Sequence, residues 1–252
     1  MSKRFHSFYS HALGRDMGMN IHGHAGKPCV VFPSQDGSYD NFEGFGMLEP
    51  CTPYLRDGKL RLYCVDSIDR ETWSNKGGNP RHRMERHEAW FRYLTDELTP
   101  FIHQDTGWQG RLMTTGCSMG ATHAANLLFR RPDLYDTVIG LSGAYDAAWL
   151  MDGYTDDLVH LNSPVSSVSE RAMPESPGGN ASSLPKPRSI ASCALHGPIP
   201  GSRRMKSWHS SSPPTQNGGA LKQESGSSFD SRFRFAFIVS FFRLVRPSGF
   251  HD

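Results

Sequence analysis

Gly116-Cys117-Ser118-Met119-Gly120 sets a serine midway between two glycines. In this G-x-S-x-G spacing the serine sits on a tight turn between a strand and a helix, with its hydroxyl held out for reaction. The glycines are required because a Cβ at either end would clash where strand and helix nearly touch. The chemistry suggested is nucleophilic attack on a substrate carbonyl. At a helix N-terminus, the backbone N–H of Met119 would face the negative charge that develops on the carbonyl oxygen. A second donor is expected from the loop Pro33-Ser34-Gln35-Asp36-Gly37, through the main-chain N–H of Gln35 or Asp36. The same Asp36-Gly37 pair also reads as a plain turn.

These segments resemble the putative esterase family of α/β-hydrolases, which groups S-formylglutathione-hydrolase-like esterases with mycolyltransferase-like proteins. The resemblance is carried by Phe32-Pro33-Ser34-Gln35-Asp36-Gly37, Gly116-Cys117-Ser118-Met119-Gly120, Arg130-Arg131-Pro132-Asp133-Leu134, Ser142-Gly143-Ala144-Tyr145-Asp146 and Leu161-Asn162-Ser163-Pro164. It spans residues 1 to about 164. What it implies is an α/β-hydrolase fold, no metal or organic cofactor, a small-molecule ester substrate and acyl transfer through Ser118.

A serine hydroxyl is a poor nucleophile at its own pKa, so it needs a histidine to take its proton and an acid to orient that histidine. Both usually follow the nucleophile in this fold, the acid first. Asp146 is the acid candidate, although an Asp in Ala144-Tyr145-Asp146-Ala147 reads more readily as a helix N-cap. The histidines after Ser118 are His123, His160, His196, His209 and His251. His123 lies five residues along the helix that leaves the serine, points away from it and reads as structural. His196, His209 and His251 stand in low-complexity sequence, where ordering a loop costs roughly 1–2 kcal/mol per residue. The triad is therefore expected to be incomplete. Cys117 reads as a packing residue. His22 with His24, and His82 with His87, read as solvated surface side chains, since neither pair has a third metal ligand. Trp73, Trp90, Trp108 and Trp149 read as core or cap residues, with Trp149-Leu150-Met151 placed to line an acyl pocket.

The elements that must hold this site follow from periodicity. Met17–His24 alternates like a half-buried strand, and Cys29–Phe32 and Leu60–Asp66 read as further strands. Between Pro80 and Phe101, apolar Trp90, Phe91, Leu94, Leu98 and Phe101 recur at helical spacing while Arg81, Arg83, Glu85, Arg86 and Glu88 crowd the other side, as on a surface helix. Arg111–Thr115 is a strand running into the serine, Met119–Phe129 a helix that Pro132 prevents from continuing, and Thr137–Ser142 another strand. Such alternation predicts an α/β fold with a mostly parallel sheet and helices on both faces, which the resemblance further implies to be α/β-hydrolase-like.

This grammar stops near Ser163. From there to Ser231 the chain is roughly half Ser, Pro and Gly, too polar to offset chain entropy by burial. Charge shifts at the same place. Residues 1–163 carry 16 basic and 20 acidic side chains, and residues 164–252 carry the remaining 11 and 5. The predicted division is an esterase-like domain over 1–163 and a low-complexity, disordered tail over 164–252. The apolar, basic end Phe233–Arg246 reads as an aggregation-prone tail, with an interfacial segment as its alternative.

Over all 252 residues the net charge of +2 gives no reason to expect a nucleic-acid partner, and no stretch approaches the roughly 18 apolar residues of a membrane span. No apolar signal-like region follows the basic start, and the five cysteines are widely spaced with no C-x-x-C pair, so reduced thiols and a cytoplasmic location are expected. Two functional readings result. One is a serine esterase. The other is a non-catalytic homologue whose C-terminal third was lost, for example through a reading-frame shift after Pro164.

Overall fold

The structure, a computed structural model, describes residues 2–166 and the backbone of residues 189–193. Seven strands form one sheet: β1 (Lys3–Ser10), β2 (Arg15–His22), β3 (Lys27–Phe32), β4 (Leu60–Val65), β5 (Leu112–Cys117), β6 (Tyr135–Leu141) and β7 (Ser189–Cys193). Their order is β1-β2-β4-β3-β5-β6-β7. The pairs β1/β2 and β2/β4 are antiparallel, and the four pairs from β4 across to β7 are parallel.

The helices lie on both faces because strand side chains alternate in direction. Val30 and Phe32 of β3, with Tyr63 and Val65 of β4, enter one core; Cys29 and Val31, with Leu62 and Cys64, enter the other. The first core is closed by α3 (Pro80–Arg92), its continuation α4 (Thr99–Thr106), and α5 (Met119–Arg130). Short α1 (Asn41–Gly44) and α2 (Leu48–Arg56) close the second. Two short helices follow β6, α6 (Ala147–Leu150) and α7 (Asp157–Leu161).

Sequence chemistry explains the helix boundaries. Asn79 caps α3 by accepting from His82 N–H at 3.1 Å, and Pro80 fills the first turn, where its missing N–H costs nothing. Pro100 removes a donor from the helix that follows, and the turn widens to a π-helical segment over Tyr93–Leu98 before α4 resumes. The expected single helix from Pro80 to Phe101 is therefore three joined segments ending at Thr106. Gly107, at φ +67°, stops it.

Three expectations need correction. Strand β1 escaped the sequence reading because it is an edge strand whose apolar residues lie on both faces: Phe8 packs toward the core, while Phe5 and Tyr9 are exposed, so polarity does not follow burial. Arg83 does not face solvent: it is buried, and its guanidinium donates to the carbonyls of Thr72 (2.6 Å) and Trp73 (2.9 Å). Strand β7 falls inside the stretch expected to be without structure, and pairs in parallel with β6. The rest of the tail, including Phe233–Arg246, lies outside the described residues.

The last described turn is tied firmly to the core. Buried Asn162 donates to Glu88 Oε1 (2.6 Å) and accepts from Asn126 (2.7 Å) and Arg130 (2.8 Å), while Arg130 grips Glu88 with two bonds of 2.8 Å. Arg130 also lies 3.5 Å over the Phe91 ring. Asn162→Ala leaves several of these buried groups unpaired, so a loss on the order of 2–3 kcal/mol is expected from urea unfolding of the full chain.

Candidate active site

Parallel strands share one rim for their C-terminal ends, and register aligns the site there: Phe32 lies opposite Gly116, and Gly116 opposite Gly140. The chain leaving β3 turns toward α1 and α2 on one face. The chain leaving β5 enters α5 on the other. This is a topological switch point, where open α/β sheets hold their ligands.

Ser118 occupies the turn at that point with φ +57° and ψ −122°. A side chain rarely adopts this region, and holding it costs on the order of 1–3 kcal/mol. Its N–H donates to Leu141 O (2.8 Å), and its carbonyl accepts from Ala121 N–H (3.0 Å) and Thr122 N–H (3.3 Å). Close packing enforces the turn. A Cβ on Gly116 would stand 2.3 Å from the Gly120 carbonyl carbon, and one on Gly120 would stand 2.5 Å from the carbonyl oxygens of both Phe32 and Pro33. The result is an exposed Ser118 between a half-buried Cys117 and a buried Met119. The Ser118 hydroxyl has no hydrogen-bond partner among the described residues.

Both expected donors lie on this rim. The Met119 N–H opens α5, and neither it nor the Gln35 N–H has an acceptor among the described residues. The Asp36 N–H is engaged, at 3.4 Å, with Asp69 Oδ2, which favours Gln35 of the two alternatives. Asp36 itself takes φ +60°, and Gly37 N–H closes back on Ser34 O at 2.9 Å, so the turn and the donor loop are one feature. Ser34 N–H is held by Asn41 Oδ1 (3.0 Å) and the Gln35 side chain by Ser74 Oγ (2.7 Å). A small cavity between the end of β5 and the α1 segment is lined by Phe42, Phe45, Met47, Cys117 and Leu141 among others, without Ser118 itself.

The remaining candidates fall apart from the serine. Asp146 caps α6 by accepting from Ala148 N–H at 3.0 Å. His123 is buried one helical turn below the serine, with Nε2 3.0 Å from Asp69 Oδ1 and its ring against Phe32, Trp90 and His87. His160 is exposed at the end of α7. His196, His209 and His251 lie outside the described residues. Burial pushes the Cys117 thiol up to about 11, so it is protonated at neutral pH and no nucleophile.

His22 and His87 correct the surface reading. Both are buried, and desolvation pulls both pKa values down, leaving neutral rings. Their partners in the sequence pairs, His24 and His82, are exposed. Trp73 and Trp90 are buried as expected, but Trp149 is 71% exposed on the rim, contrary to a core role. Asp69 and Ser74 were missed altogether; the available signal was their position just after the C-terminal end of β4, on the same rim. Among the described residues, no group of three or more His, Cys, Asp or Glu could hold a metal ion, and no helix is long and apolar enough to cross a membrane.

A family model described as Putative esterase matches residues 10–211. Among solved structures, an S-formylglutathione hydrolase from Agrobacterium tumefaciens is 18% identical over 68% of this chain and 72% of its own, with a TM-score of 0.55. The fluorophosphonate-binding serine hydrolase F of Staphylococcus aureus gives 13% identity, 67% and 72% coverage and a TM-score of 0.51. An S-formylglutathione hydrolase from Staphylococcus aureus gives 14%, 67%, 70% and 0.50. At these identities the likeness is one of fold. No curated protein matches.

Two stability measurements check the turn. Gly120→Ala forces its Cβ into backbone carbonyls, and a loss of about 1–3 kcal/mol is expected in chemical unfolding. Ser118→Gly is expected to be more stable than Ser118→Ala by roughly 1 kcal/mol, because only glycine relieves the positive φ. Equal stability of those two variants would show that the turn holds no strain.

Proposed function

The chain belongs to the Putative esterase family, and from that membership we propose that it acts on a small-molecule ester through an acyl-enzyme on Ser118. The observation that carries this reading is the strained, exposed Ser118 between two unengaged N–H groups at the switch point of the sheet. In the proposed sequence, Ser118 Oγ bonds to the ester carbonyl carbon while its proton passes to solvent water and the carbonyl π pair moves onto the carbonyl oxygen. The oxygen that becomes negative is held by the N–H groups of Met119 and Gln35. Collapse re-forms the carbonyl and breaks the bond to the leaving oxygen, which departs as the alkoxide or phenolate and is protonated by water; water, or an alcohol in a transfer reaction, then adds to the acyl carbon, and Ser118 Oγ leaves and regains a proton from solvent.

Proton handling sets the expected rate. No described histidine hydrogen-bonds Ser118, and Asp146 is engaged as a helix cap. The oxyanion donors alone give some catalysis above water. Substrates whose leaving group needs no proton show that activity first. An aryl acetate is therefore the assay of choice. The expected result is slow turnover that Ser118→Ala removes and His209→Ala leaves nearly unchanged. Hydrolysis that persists in Ser118→Ala would overturn the assignment of the nucleophile, and wild-type hydrolysis no faster than buffer would favour the non-catalytic reading. Fast hydrolysis abolished by His196→Ala, His209→Ala or His251→Ala would instead identify the base within the tail.

A further inference from the structure

The two proposed oxyanion donors sit on different elements: Met119 N–H on the first turn of α5, Gln35 N–H on the loop after β3. Their separation must be fixed to within a fraction of an ångström for both to reach one oxygen. Asp69, on the segment after β4, touches both elements. Its Oδ1 lies 3.0 Å from Nε2 of His123, on α5, and its Oδ2 accepts from Asp36 N–H, next to Gln35, at 3.4 Å.

The carboxylate is well placed for such a role. Asp69 and His123 are each 2% exposed, so water does not compete for their bond. The segment holding Asp69 is itself rigid. Asp69 O accepts from Thr72 N–H (3.0 Å) and Ser74 N–H (2.8 Å), and buried Arg83 clamps the carbonyls of Thr72 and Trp73. Two further bonds tie this segment to the β3 loop: Gln35 Nε2 to Ser74 Oγ at 2.7 Å, and Ser67 Oγ to Gly37 O at 3.0 Å. A buried acid and a buried imidazole therefore stand behind the site without touching the nucleophile.

We propose that Asp69 is a positioning residue, and that the Asp69–His123 pair braces α5 against the β3 loop so that the Met119 and Gln35 N–H groups converge on one oxyanion. The inference rests on the esterase reading of Ser118. It assigns to His123 a role in the reaction that its direction along the helix conceals, since it acts through Asp69 and never meets substrate.

The test compares full-length wild type with Asp69→Ala, Asp69→Asn and His123→Leu on an aryl acetate and its thionoacetate. Sulfur fits an oxyanion site poorly, so the donors' contribution is read in the preference for the oxo ester. Asp69→Ala is expected to lower kcat roughly tenfold to a hundredfold with little change in KM, and to erode the oxo-over-thiono preference. Asp69→Asn should restore most of both, since its amide can accept from Asp36 N–H and donate to the other tautomer of His123. His123→Leu keeps apolar packing against Phe32 and Trp90 while cutting the brace, and should follow Asp69→Ala; it carries the test should Asp69→Ala fail to fold. A folded His123→Leu or Asp69→Ala within twofold of wild type, or losing oxo and thiono hydrolysis equally, would overturn the proposal. Failure of the underlying esterase reading appears separately, as wild-type hydrolysis that does not depend on Ser118.

Discussion

Everything at the reactive rim depends on one contact between backbones, where the first turn of α5 presses on the end of β3. Gly120 touches the carbonyls of Phe32 and Pro33, and Gly116 touches Gly120, with no room for a Cβ at either place. Strand register delivers this contact, because Phe32 and Gly116 are paired neighbours in the sheet. Once the two segments are that close, the chain between them must turn within a single residue, and Ser118 takes a conformation that an L-residue adopts only under constraint. Exposure of the hydroxyl and the free N–H at the helix start follow from the same turn.

Much of this was legible in the sequence because each signal was local. The glycine spacing around Ser118, the buried runs of β3 and β5 and the small-residue face of α5 report short-range sterics and burial, which a linear reading captures. Asp146 was also legible as a cap, for the same reason. Asp69 was not. Its importance comes from meeting His123, fifty-four positions away, and no periodicity encodes such a meeting. Edge strand β1 was missed on another ground: its exposed face carries Phe5 and Tyr9, so residue polarity does not report which face is buried.

The misread charged and imidazole side chains share one cause. Arg83, His22 and His87 were assigned to water by residue type, whereas the fold buries all three. Arg83 is accommodated because two backbone carbonyls accept from it, and the imidazoles because they shed their charge. His87 and His123 stack on each other, and around them Trp73, Trp90 and Phe32 pack edge-on or tilted. Such rings supply area and fixed geometry at little rotamer cost.

The mixed direction of the sheet also bears on the order in which the molecule assembles. Strands β1 and β2 are joined by a four-residue turn and pair residue for residue, so their contacts close a short loop. The central pairing sets Cys29 against Met113, and the chain between them must first place β4, α3 and α4. Closing that long loop is entropically dearer and kinetically slower. Loop closure therefore costs least for the hairpin and most for the strained serine turn, which needs β3, β5 and β6 in register.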